Sequence, residues 1–326
     1  MTSGTCSSSL RERCNRPRYL NRAGGLLLAA CLALPWRAWS AAPLADVHVH
    51  YKWNQEDVTS PQQAVDTLRD HDIALAVVIG MPADYALRLE TLAPGLVVPL
   101  WSPYRKPGDW SSWAYDKTVP ERARRALDGG HYRGIGELHL IGGFAPPWNS
   151  PVIDALARLA AEYSVPLMIH TEFSRPDYLA NLCRARPDTR ILWAHAGALL
   201  SPEQVAGVLR ACPNVWADLA ARDPWRFVNN PITDDDGRLL PGWRTLLEDF
   251  PERFMVGSDP VWPVEQLDSW EQADTGWEEY GRFIGFHRHW LEQLPPALAE
   301  NIRLRNAQRF FLPASTKRPV AAESAP

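Results

Sequence analysis

Eight short apolar runs, separated by segments of helical pattern, constrain the fold of this 326-residue chain more than any other feature. The runs fall at 44–50, 73–80, 95–101, 133–139, 165–171, 190–195, 214–219 and 253–259. Most are near-continuous in Val, Ile, Leu and Ala, as strands covered on both faces must be. Strands alternating with helices predict parallel βα units. Helices are expected at 61–71, 119–128, 151–163, 176–186 and 201–211, the first and last opened by Ser-Pro pairs that supply an N-cap and a first-turn proline. The predicted fold class is α/β, a (β/α)8 TIM barrel, which accommodates about 250 residues as one domain. A doubly wound open sheet is the alternative, but no Gly-x-Gly-x-x-Gly follows any run, so its usual dinucleotide fingerprint is missing.

The ends of these runs carry the chemistry. In a barrel every C-terminal strand end opens on one face. The first run, Leu44 to His50, alternates, so His48 and His50 project side by side. The fourth ends Glu137-Leu138-His139, the fifth on His170, the sixth on His195 and the eighth on Asp259. Imidazoles and carboxylates at the ends of buried strands are costly unless something there needs them. Five such ends in register predict a metal site at the barrel mouth. Imidazole and carboxylate donors suit zinc first, with manganese, iron or nickel also compatible.

This ordered set resembles the amidohydrolase superfamily, in its amidohydrolase-related group, over roughly residues 44 to 311. Gly257-Ser258-Asp259 and the segment Asn306-Ala307-Gln308-Arg309-Phe310-Phe311 are similar to recurring elements of that group. The resemblance implies a metal-dependent hydrolase on a (β/α)8 barrel. It implies metal ligands at His48, His50, Glu137, His170, His195 and Asp259. Many members carry a carboxylated lysine on strand 4, but the chain's four lysines, Lys52, Lys106, Lys117 and Lys317, all lie elsewhere. Two arrangements stay open. In one, His48, His50 and Asp259 hold one ion and His170 and His195 a second, with Glu137 bridging. In the other, His48, His50, His170 and Asp259 hold a single ion and His195 polarises the substrate. A divalent ion lowers the pKa of bound water to about 7, and Asp259 and His195 are the expected catalytic residues, Asp259 taking the water's proton. No Gly-x-Ser-x-Gly elbow supports a serine nucleophile.

Aromatic and cationic residues follow several of the runs, among the chain's 15 tryptophans. Lys52, Trp53, Arg105, His139 and Arg175 are expected to contact substrate, with Trp101, Tyr104, Lys106, Trp110, Trp113, Arg222, Trp225 and Trp262 around them. Stacking and cations would suit a small molecule with a flat or apolar body and an anionic group. The expected activity is hydrolysis of a carboxylic ester, lactone or amide. Alternatives are a single-metal decarboxylase of an aromatic or unsaturated acid and a catalytically silent periplasmic binding module.

The termini read as separate from the fold, which is assigned to residues 41–313. Residues 1–40 carry five arginines between Arg11 and Arg22, an apolar stretch from Gly24 to Leu34, and Ala38-Trp39-Ser40 as a cleavage site. They predict a signal peptide and a periplasmic or secreted protein. Leu28-Ala29-Ala30-Cys31 also resembles a lipobox, which would anchor the chain through Cys31. The tail 314–326 is expected to be disordered. A net charge of −4 gives no electrostatic footprint for nucleic acid. The apolar stretch of the leader is too short for a mature membrane span. Cys183 and Cys212 lie on neighbouring predicted helices, where a disulfide is conceivable and two inert thiols are expected.

Overall fold

Strand β1 (Leu44–Lys52) is buried along its whole length yet alternates in chemistry. Its period of two sends Ala45, Val47, Val49 and Tyr51 to one face and Asp46, His48, His50 and Lys52 to the other. The apolar set belongs to the hydrophobic core, and the polar set enters the barrel interior. This computed structural model describes residues 41–143, 145–226, 229–261 and 273–312. The expected leader, the tail 314–326 and Trp262 lie outside the described residues.

Seven further strands follow: β2 (Ile73–Met81), β3 (Val97–Leu100), β4 (Ile135–His139), β5 (Leu167–His170), β6 (Ile191–Trp193), β7 (Val215–Asp218) and β8 (Phe254–Met255). All neighbouring pairs are parallel, in ladders β1-β2-β3 and β4-β5-β6-β7-β8. Main-chain hydrogen bonds span both gaps between the ladders. Trp101 N donates to Gly134 O and Gly136 N to Trp101 O, joining β3 to β4. Val47 N donates to Val256 O and Asp259 N to His48 O, joining β8 to β1. The sheet therefore closes as the predicted barrel.

Helices α1 (Pro61–Asp70), α2 (Asp84–Leu92), α3 (Val119–Asp128), α4 (Pro151–Glu162), α5 (Pro176–Ala185), α6 (Pro202–Ala211) and α7 (Pro241–Asp249) fill the connections, and α8 (Tyr280–Leu291), α9 (Pro296–Glu300) and α10 (Asn306–Phe311) follow β8. The Ser-Pro starts behave as predicted. Ser60 and Ser201 each accept from the backbone three residues on, with Gln63 and Gln204 reaching back in reciprocal capping boxes. Helices α2, α7, α8, α9 and α10 went unpredicted; α7 shortens what reads in sequence as one long connection from 221 to 252. No described helix is long and apolar enough to cross a membrane.

Two expectations are corrected. The sixth and eighth strands end at Trp193 and Met255, before the candidate ligands His195 (φ 55°) and Asp259 (φ 47°), both of which are left-handed rather than extended. The two cysteines are not free thiols. Cys183 on α5 and Cys212 at the end of α6 form a disulfide, their Cα atoms 5.9 Å apart. Closing a loop of 29 residues restricts the unfolded chain by about 3–4 kcal/mol. Reduction is expected to lower the melting temperature by roughly 6 °C or more, measurable by calorimetry with and without reductant; an unchanged value would mean the bond contributes no stability.

Candidate metal centre

Glu137 is the centre of the site. Its carboxylate is buried and ringed by five of the chain's nine histidines. Oε2 lies 3.1 Å from His50 Nε2, 3.4 Å from His48 Nε2 and 3.4 Å from His139 Nε2. Oε1 lies 3.0 Å from His170 Nδ1 and 3.7 Å from His195 Nε2. Asp259 completes the ring, with Oδ1 3.5 Å from His50 Nε2 and Oδ2 3.9 Å from His195 Nε2. Donor atoms lie within 4.8 Å of one another in three overlapping triads: His48, His50 and Asp259; His48, Glu137 and His195; Glu137, His139 and His170. All six predicted ligands therefore converge, and His139 joins them.

Glu137 reaches this position through its neighbour. Gly136 has φ +131°, and a Cβ there would stand 2.5 Å from Met168 O on β5. Only glycine lets β4 press so closely against β5 and still turn the next side chain inward.

Partners behind the ring set which imidazole nitrogen faces inward. His48 Nδ1 donates to Asp218 Oδ2 at 3.2 Å, and His195 Nδ1 to Ala220 O at 3.1 Å, so both rings present Nε2. Asp218 also accepts the backbone N–H groups of His195 and Ala220 at 3.0 Å. His170 Nε2 lies 3.2 Å from Glu172 Oε2. Tyr104 OH accepts from His139 N and lies 2.7 Å from its Nδ1. Asp46 binds Ser258 N, His48 N and Tyr280 OH, tying the start of the β8 loop to β1.

The electrostatics follow from crowding seven titratable groups out of water. Burial raises the Glu137 carboxyl, but the positive field of His48 and the hydrogen bond from His170 outweigh it and hold the group well below the usual range. Burial likewise opposes ionisation of Asp259, yet His48, His50 and His195 bring it to about 2. Burial lowers His139 to about 3 and His195 to about 4, keeping both neutral and able to ligate. His170 goes the other way. Burial lowers it, but Glu137 and then Glu172 raise it to about 9. Its folded value exceeds its unfolded one, so it stabilises the metal-free protein below pH 6.5, and that contribution is lost as pH rises toward 9. A bound cation must displace the same proton. Melting temperatures with and without zinc are therefore expected to diverge from pH 6.5 to 9; a constant gap would exclude His170 as a ligand.

The predicted substrate residues divide differently. Lys52 is buried and its Nζ lies 2.6 Å from Asp274 Oδ2. Arg105 pairs with Asp109 at 3.0 Å and Arg175 with Asp177 at 3.3 Å, both with exposed side chains. Trp53 packs half-buried against the core. Arg222, read in sequence as a cation of the mouth, is wholly buried, and burial lowers it to about 9. Beside His139 lies a small, mostly apolar recess lined by Trp110, Trp113, Ile141, Ala145 and Pro146. Sequence reasoning passed over Glu172, whose only signal is its i+2 spacing from His170, and Arg226. Asp218, at the end of the seventh run, reads in sequence equally as a helix cap or a substrate contact; in the structure it binds His48.

A family model described as amidohydrolase matches residues 31–312. The chain belongs to the amidohydrolase family. It is accordingly a metal-dependent hydrolase, and the ring around Glu137 has the donor chemistry such an enzyme needs. The amidohydrolase is similar in fold to a TIM-barrel protein from Bordetella bronchiseptica, at 14% identity and a TM-score of 0.53, over 82% of this chain and 98% of that one. It is also similar to a putative 2-pyrone-4,6-dicarboxylic acid hydrolase from Pseudomonas putida (18% identity, TM-score 0.52, 82% and 97% covered). A third similar structure is a zinc-bound amidohydrolase from Burkholderia multivorans (15% identity, TM-score 0.50, 83% and 99% covered). No curated protein matches the sequence significantly.

Proposed function

We propose that this amidohydrolase is an exported zinc enzyme that hydrolyses an ester, lactone or amide with an apolar flank. The observation that carries the reading is the ring of five imidazoles around Glu137, closed by Asp259. These donors suit zinc, and the Burkholderia relative holds that metal. His48, His50 and Asp259 would hold a first ion, with Glu137 reaching toward His170 and a second position. When bound, a divalent ion supplies Lewis acidity and brings the pKa of water to about 7.

The protein's own groups account for the rest. Asp259, held ionised by its histidines, accepts a proton and returns it to the leaving group. His195 donates through Nδ1 to Ala220 O and is neutral, so its Nε2 offers a lone pair. That favours ligation over polarising a substrate carbonyl, a role that needs a proton on Nε2. The apolar lining of the recess beside His139 is in keeping with an apolar flank. Lys52, Arg105 and Arg175 are each paired with a carboxylate, which favours a neutral scissile carbonyl over a carboxylate to be lost. Export is supported by the leader pattern and by the Cys183–Cys212 disulfide, a bond that persists in oxidising compartments.

The test is metal analysis of purified protein with a screen of lactones, esters and amides, before and after chelation. Zinc in the protein, chelator-sensitive turnover and loss of both in His48→Ala and His50→Ala are expected. Bound metal that survives both substitutions would sink the reading.

A further inference from the structure

Strand β7 supplies no member of the donor ring, yet its end and the loop after it reach the main chain of two members. Arg222 is completely buried, and its guanidinium lies over the Trp243 ring, 4.6 Å from the centroid. Its Nε donates to His195 O at 2.8 Å and one terminal nitrogen to Ala196 O at 2.9 Å. The other terminal nitrogen donates to Leu200 O and Asn230 O, both at 2.9 Å. Four residues later Arg226, also buried, turns toward the neighbouring strand end. It donates to Asp259 O at 2.8 Å and Ser258 O at 3.0 Å, while Asp223 Oδ2 accepts from its Nε at 2.6 Å. Its guanidinium lies 4.1 Å from the centroid of the Phe283 ring.

The carbonyls chosen are telling. His195, Ala196 and Asp259 all have positive φ, a conformation that side-chain-bearing residues avoid. In it their carbonyls point away from the strand ladder and need donors elsewhere. A guanidinium presents five donors in a planar fork and can bond carbonyls of two segments at once, which an ammonium on a flexible stem does not reproduce. We propose that Arg222 and Arg226 are positioning residues that lock the left-handed ends of β6 and β8, aiming His195 and Asp259 at the metal. The proposal rests on the metal-centre reading above.

Arg253 supplies an internal control. It is a partly buried arginine that also bonds main-chain carbonyls, Cys212 O and Val215 O, and stacks on Trp216, but at the start of β7, where none of the ring residues lies. Metal-free wild-type, Arg222→Met, Arg226→Met, Arg253→Met and the three lysine variants would be titrated with zinc against a chromophoric chelator. Their cobalt forms would be recorded in the visible. The expected result is zinc affinity lower by about 10- to 100-fold in the Arg222 and Arg226 variants, with altered cobalt bands and milder effects for lysine. Arg253→Met would melt earlier with unchanged zinc affinity. Folded Arg222 and Arg226 variants with wild-type affinity and cobalt spectrum would overturn the proposal. Where a methionine variant does not fold, the lysine variant and Asp223→Asn, which releases the Nε of Arg226, decide on the same readouts. A wild-type chain that takes up no zinc overturns the metal-centre reading itself, a separate result.

Discussion

Glu137→Gln is expected to lower kcat/KM by about 1,000-fold or more, equivalent to about 4 kcal/mol of transition-state stabilisation. The amide keeps the shape of the side chain and removes its charge. Glu137 faces five imidazoles, and among the described residues no other carboxylate reaches more than three of them. Bound zinc should fall in parallel, read by elemental analysis. The metal-free variant offers a readout independent of activity. His170 owes its rise to about 9 first to its hydrogen bond with Glu137, so its titration midpoint should move down. NMR titration of the imidazole protons measures that shift. A variant with full metal content and an unmoved His170 would show that Glu137 neither ligates nor organises the ring.

Gly136→Ala should produce a large structural effect at the site. A Cβ at this position meets Met168 O at 2.5 Å and Met168 Cβ at 2.8 Å, on a residue with φ +131°. Steric overlap between two barrel strands and the strained backbone add, for a cost of about 3 kcal/mol or more. The melting temperature is expected to fall by roughly 6 °C or more, and zinc binding should weaken because β4 carries Glu137. Gly95→Ala separates conformation from crowding. Gly95 also has positive φ, at +85°, but nothing lies within 4 Å of its Cβ position. Its substitution should cost about 1 kcal/mol and leave metal binding intact. Equal effects of the two substitutions on zinc affinity would refute the close-approach argument.

Much of the barrel was legible because burial leaves a linear trace. A strand covered by helices on one side and by its own barrel on the other must be apolar, so β2, β5 and β6 stand out as runs of Ile, Leu and Val. A helix that starts on Ser-Pro carries its own stop and start chemistry, as at Ser60 and Ser201. Helix α2 was missed because it begins at Asp84 without a side-chain cap, only three residues after β2 ends. The donor ring was legible for the opposite reason. His48, His50, Glu137, His170, His195 and Asp259 interrupt apolar runs, and each break is costly enough to demand a purpose.

The residues that orient these ligands leave no comparable trace. Asp218 ends an apolar run without announcing a partner, Arg222 reads as a cation of the mouth, Arg226 as an ordinary loop charge, and Glu172 as a turn residue. Lys52 reads as a cation at the mouth, yet it pairs with Asp274, more than two hundred positions away. Local pattern determined the strand order, the barrel and the identity of the inward-facing donors, because those depend on periodicity along one strand at a time. Tertiary structure alone decided which nitrogen each histidine presents, that β6 and β8 end in left-handed turns, and that Cys183 meets Cys212. Those outcomes depend on hydrogen bonds and contacts between distant segments, whose geometry exists only once the barrel has closed.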